Sequence, residues 1–222
     1  CFYSTDLLLI SFVIGSLIVN GSKVKDDDAM QYMVSVQARQ SHKCSGFLVS
    51  ENFVLTAACC SHYLDAVVLG SHNLDSSNKQ KITIEKKIMP KENDLMMLKY
   101  LKKKAKLGKG VEIIQLPNEN TKVEAGDWCE IAGWGAIEIG KNHVKDLYAT
   151  NVSIIDRPTC MKVWHKLPAN VICAGDWGGP LVCNNTAVGI ASFNRDGTIE
   201  GPNVFIDISK YLQWINDTKI GS

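Results

Sequence analysis

Ala187-Val188-Gly189-Ile190-Ala191-Ser192-Phe193 is a short, largely apolar run, bounded by Asn184-Asn185-Thr186 before it and Asn194-Arg195-Asp196-Gly197 after it. A run of this length between turn-forming residues fits a buried strand better than a helix. Val204–Ile208 repeats the pattern downstream, and Leu95–Leu98, Ala66–Leu69, Phe53–Leu55, Phe47–Val49 and Met33–Val36 repeat it upstream. Ile82 and Ile84 alternate with polar neighbours, the signature of a strand with one buried face. Many short strands with little helical periodicity predict an all-β fold, a sandwich or a barrel. One helix is expected at the end of the chain, with Ser209 as its N-cap and Tyr211, Leu212, Trp214 and Ile215 on one face. Leu116-Pro117-Asn118-Glu119-Asn120-Thr121 reads as a linker between two halves.

The chain has 222 residues, enough for one large or two small all-β domains. Its 45% hydrophobic and 21% charged content is that of an ordinary globular protein. A formal net charge of +1 gives no general attraction to nucleic acid or to anionic membranes. The apolar run from Leu7 to Gly15 is too short to span a bilayer and reads as the core of a secretory signal. Residues 1–17 are therefore set apart as signal-like, and the start at Cys1 with Asp6 in place of a basic region marks them as incomplete. Four sequons, at Asn20, Asn151, Asn184 and Asn216, agree with secretion. Eight cysteines are present; setting Cys1 aside leaves an odd number, which predicts one thiol without an intrachain partner.

Five motifs then follow in chain order: Ile18-Val19-Asn20-Gly21, Leu55-Thr56-Ala57-Ala58-Cys59-Cys60, Asn93-Asp94-Leu95-Met96-Met97-Leu98, Cys129-Glu130-Ile131-Ala132-Gly133-Trp134-Gly135, and Gly175-Asp176-Trp177-Gly178-Gly179-Pro180-Leu181-Val182-Cys183. Together they resemble the trypsin-like serine proteases (peptidase S1), and granzymes and mast-cell proteases most of all. The resemblance implies two six-stranded antiparallel barrels over residues 18–222, with halves of roughly 18–117 and 118–222 and an active site at their seam. It also implies disulfides Cys44–Cys60, Cys129–Cys183 and Cys160–Cys173, which leaves Cys59 as the unpaired thiol. A monomer follows, with a covalent dimer through Cys59 open to it, located outside the cell or in a secretory granule.

Peptide hydrolysis by this family needs a hydroxyl nucleophile, a base, an acid that orients the base, and donors for the oxyanion. The resemblance places Cys59 at the base, Trp177 at the nucleophile, Asp94 at the retained acid and Gly175 at the oxyanion position. An indole has no nucleophilic oxygen. A thiol attacks only as thiolate, and the negative Asp94 beside it would hold it protonated. His62 reads as a surface histidine. Cys59, Cys60 and His62 do not read as a metal site because Cys60 is wanted by Cys44, and no cofactor is expected. Only Ala174 and Gly175 separate Cys173 from Asp176, where relatives carry a longer loop around the specificity pocket. Met89-Pro90-Lys91-Glu92 likewise runs straight into Asn93-Asp94, where relatives carry a longer cleft loop. Asp176 is expected to pair with the α-amine of Ile18, and Ser192-Phe193-Asn194 resembles the strand that pairs with substrate backbone. Both read as retained scaffolding. Lys102-Lys103-Lys104, with Lys106 and Lys109, reads either as a sulfated-glycan site, as in related granule proteases, or as a solvated loop.

The leading reading is a secreted, catalytically inactive protease homologue, either a binding or decoy protein or a product with no selected role. Two others stay open. One is an active serine endopeptidase whose sequence is misrepresented here by a gene-model or splice error. The other is a sulfated-glycan-binding granule protein.

Overall fold

A computed structural model describes residues 18, 21–25, 28–91, 95–100, 103–137, 144–175, 179–193 and 202–221. The strands are β1 (Ser22–Lys23), β2 (Met33–Ala38), β3 (Ser41–Ser50), β4 (Phe53–Ala57), β5 (Ala66–Leu69), β6 (Gln80–Ile88), β7 (Leu95–Tyr100), β8 (Trp128–Gly133), β9 (Tyr148–Ile155), β10 (Val171–Ala174), β11 (Pro180–Cys183), β12 (Thr186–Phe193) and β13 (Asn203–Asp207). Two helices join them, α1 (Arg157–Val163) and α2 (Leu212–Ile220).

Strands β2-β3-β4-β7-β6-β5 close into one antiparallel barrel. The order β9-β10-β13-β12-β11-β8, closed by the β8–β9 pairing, makes the second, and β1 adds to it along β9. Closure removes the free strand edges that open sheets leave exposed. Two-residue turns with positive φ make two of the hairpins: Arg39-Gln40 (49° and 67°) between β2 and β3, and Asn184-Asn185 (48° and 58°) between β11 and β12. Asparagine tolerates that left-handed region better than most residues, and such turns match the twist of the flanking strands.

The apolar runs bury as the sequence leads one to expect. Phe47, Leu48, Val54, Leu55 and Leu95 through Leu98 are fully buried in the first barrel. Val182, Ile190, Ile206 and Ile215 join the same apolar cluster, so the outer face of the second barrel and α2 pack directly on the first. Cys129, Ile131, Val152, Leu181 and Phe205 fill the second barrel. Disulfides Cys44–Cys60, Cys129–Cys183 and Cys160–Cys173 are all formed.

Two expectations are corrected. Ser209 does not cap the terminal helix. Asp207 instead accepts from the Ser209 N–H at 2.9 Å and from its hydroxyl at 2.6 Å, starting a 3-10 turn (Ile208–Tyr211) from which α2 continues. The carboxylate at the end of β13 reaches the free N–H groups first. The sequence reading also passed over α1. Asp156 caps it by accepting from the Thr159 N–H at 2.7 Å, and Pro158 sits in its first turn. Only Cys160 of its seven residues is buried, too few to show a helical period.

Candidate functional site at the seam of the two barrels

On the first barrel the seam begins where β4 ends. Thr56 is fully buried, and its hydroxyl donates to the Ser45 carbonyl at 2.9 Å, tying β4 to β3. The chain then enters a 3-10 turn, Ala58–Ser61, which the Cys44–Cys60 bridge fastens to β3. Ala57 pairs with Leu95, the first residue of β7, so β7 begins beside the Cys59 turn. Asp94 itself, with Asp176, Trp177, Asn194 and Lys102, lies outside the described residues.

Cys59 is half-buried and its sulfur is in a disulfide whose partner lies outside the described residues; no free cysteine occurs among the described ones. This corrects the expected free thiol, and with it the covalent dimer through Cys59. The odd count held only for the seven cysteines beyond residue 17, whereas the chain carries eight. A disulfide sulfur is neither a base nor a thiolate nucleophile. His62, just past the turn, is exposed as expected.

On the second barrel, β10 runs through Cys173 and Ala174 to Gly175, whose carbonyl accepts from the Asn203 side chain at 3.3 Å. Gly175 is exposed, and among the described residues nothing lies within 4 Å of where a Cβ would stand. Gly179 is the opposite. At φ +44°, its missing Cβ would fall 1.9 Å from the Ala132 carbonyl oxygen of β8 and 3.5 Å from Ser45 Cβ of β3. Its own carbonyl accepts from the Ala191 N–H at 3.0 Å. The second glycine of the Gly-Gly-Pro stretch is thus pressed against β8 of its own barrel, with Ser45 of the first barrel beside it. Ser192 is buried, and the β12–β13 register shifts between Ala191 and Phe193, so the strand carries a bulge there.

Ile18 is fully buried, and its backbone N–H donates to the Ala136 carbonyl at 2.9 Å, just past Trp134. The expected Ile18–Asp176 pair involves a residue outside the described ones.

The sequence reading missed His42. It is buried in β3, edge-on to Trp134 at 5.8 Å between ring centres, with Nδ1 2.8 Å from the Ser35 hydroxyl. This serine–histidine pair is not positioned for attack on a substrate, because Ser35 has no accessible surface. A buried polar residue inside a strand is the signal that could have found it. A groove of 450 Å³ lined by Pro117, Val123, Asp156, Arg157, Ile172 and Lys210 lies on the second barrel, apart from the Cys59 turn. Its charged side chains are turned to local work: the Arg157 guanidinium donates to the Leu167 and Pro168 carbonyls, and Asp156 caps α1. No group of three or more His, Cys, Asp or Glu side chains able to hold a metal occurs among the described residues.

The trypsin family model matches residues 18–215, almost the whole described chain. The chain belongs to the trypsin family. Granzyme B of Rattus norvegicus is 36% identical, over 96% of this chain and 97% of that protein. Neuropsin, a serine protease of mouse brain, superposes with a TM-score of 0.83 at 29% identity, covering 91% of this chain and 100% of the other. Human heparin binding protein superposes at 0.80 and 30% identity, over 90% and 95% of the two chains. The double-barrel fold and the family are therefore as the five motifs implied. For this trypsin-family chain, the strands that frame the seam are in place on both sides.

Proposed function

We propose that this chain is a catalytically inactive, secreted member of the trypsin family that acts by binding. The observation that carries the reading is the pair of residues at the chemical positions, Cys59 for the base and Trp177 for the nucleophile. Granule and secreted relatives support the location, outside the cell or in a granule. The short Cys173–Asp176 connection supports the absence of a formed specificity pocket. In this reading Asp94, Asp176, Ser192 and Gly175 persist as scaffold. The test is turnover of a diverse peptide-substrate library by the folded protein at high concentration. No hydrolysis above buffer is expected. Hydrolysis that follows the protein through purification and survives serine-protease-free expression would instead favour the active endopeptidase. Sequencing transcripts across Cys59 and Cys173–Cys183 separates that reading independently.

A second reading has its own observation. Lys103, Lys104, Lys106 and Lys109 are all exposed on one short segment. The Gln80 side chain clamps that segment by donating to the Lys106 carbonyl at 2.8 Å and accepting from its N–H at 2.9 Å. Fixed, exposed cations suit a sulfated glycan, and likeness to human heparin binding protein supports the same chemistry.

A further inference from the structure

Trp128 opens β8 with 71% of its surface exposed, and it alone is exposed among the described tryptophans. Indoles are seldom left so open, because the ring presents a large apolar face to water. The register says what stands next to it. Trp128 pairs with Ser153, Cys129 with Val152 and Glu130 with Asn151. Cys129 and Val152 point into the second barrel, where both are buried. Side chains alternate along a strand, so Trp128, Glu130, Asn151 and Ser153 share the outer face. Asn151-Val152-Ser153 is a sequon, with Asn151 exposed. Trp128 therefore stands directly across from the hydroxyl residue of the sequon and diagonal to its asparagine, about 7–8 Å away by sheet geometry. The other described sequons lack this arrangement: Asn184 sits in a hairpin turn and Asn216 on the outside of α2.

We propose that Asn151 carries an N-linked glycan whose first N-acetylglucosamine lies against the face of Trp128. The donor is a lipid-pyrophosphate-linked oligosaccharide of the secretory pathway. Asn151 Nδ2 forms a bond to C1 of the first sugar, the bond from C1 to the pyrophosphate oxygen breaks, the lipid pyrophosphate leaves, and the amide loses one proton. The C–H face of the sugar then covers the electron-rich indole and removes it from water. The site rests on the reading of the chain as secreted, so the experiment separates the two.

The full chain is expressed in mammalian cells in two forms, as it stands and behind an added cleavable secretion signal, and both cell-retained and secreted material are analysed. In the targeted form, enzymatic deglycosylation should convert Asn151 to Asp in the peptide spanning β9, and Ser153→Ala should abolish that conversion. Iodide quenching of tryptophan fluorescence should rise on deglycosylation of the folded protein, and should not change on deglycosylation of Trp128→Phe. An unmodified Asn151 in the targeted form overturns the site. An occupied Asn151 with quenching unchanged by deglycosylation overturns the contact with Trp128. Glycan in the targeted form alone supports the site and shows that residues 1–17 as given do not by themselves direct secretion.

Discussion

Gly179 has no room for a side chain: its φ is +44° and a Cβ would stand 1.9 Å from a backbone oxygen of β8, which has nowhere to retreat. Gly179→Ala is expected to cost at least about 4 kcal/mol, the range of severe core lesions, and to abolish recovery of folded protein. A thermal melt of any folded fraction checks this. Gly175→Ala, with open space around it, should cost under about 1 kcal/mol and serves as the control. Cys59 makes the second prediction at this scale. In the chain with residues 1–17 still attached, it should resist alkylation under native conditions and become reactive only after reduction; ready labelling of Cys59 in that unreduced form would contradict its disulfide. Both residues stand in motifs that were plain in the sequence, yet their physical states were not. Composition cannot say which glycine of three meets a carbonyl, and cysteine parity depends on which cysteines are counted.

At the scale of elements, a short contact joins β1, the Ser71–Asp75 loop of the first barrel and the approach to β9. Lys23 Nζ lies 2.8 Å from Asp146 Oδ2, and Asn73 Nδ2 donates to Asp146 Oδ1 at 2.7 Å. These hydrogen bonds, from Lys23 first and then Asn73, hold the Asp146 carboxyl below its ordinary value. A carboxyl bound more weakly by protons when folded stabilises the fold above the unfolded value, and that contribution is lost as pH falls through the folded one. The loss therefore begins below about pH 4. Asp146→Asn should lower stability by no more than about 1 kcal/mol at neutral pH and flatten the acid limb of the Tm-versus-pH curve. Glu130 works in the opposite sense, since burial raises its carboxyl and its share grows as pH falls. The difference between variant and wild-type curves, not either curve alone, thus reports Asp146. The lysine segment belongs to this scale too. Heparin retention should weaken with salt and fall when Lys102, Lys103 and Lys104 become Ala. Unchanged retention would leave the segment as a solvated loop.

For the whole molecule, the alternating and apolar runs announced an all-β chain, and five ordered motifs implied the double barrel and three of its disulfides. What stayed illegible was carried by few residues. Helix α1 buries one side chain, the Ser35–His42 pair is two polar residues inside strands, and the Asp207 cap replaces the expected Ser209 by a shift of two positions. Such features depend on three-dimensional neighbours and leave no period to read. Repair of the chemistry also belongs to the whole molecule. In the proposed reading, Cys59→His with Trp177→Ser restores the residue types of the triad together with Asp94, yet little turnover is expected. Positioning the scissile carbonyl supplies several kcal/mol of catalysis, on the order of 7–11 at best, and the short Cys173–Asp176 connection lacks the loop that would grip the substrate. Insertion of a relative's loop should raise the rate further; robust hydrolysis by the double variant alone would show that the short connection suffices.

The most direct test of the inactive reading is labelling of the folded, secreted protein with a fluorophosphonate probe, followed by intact mass. Such probes require an activated serine, which depends on a neighbouring base. With Cys59 and Trp177 at the two chemical positions, the account predicts no adduct at any serine under conditions that label an active relative to completion. A stoichiometric adduct on one serine, lost when that serine is changed to Ala, would contradict it.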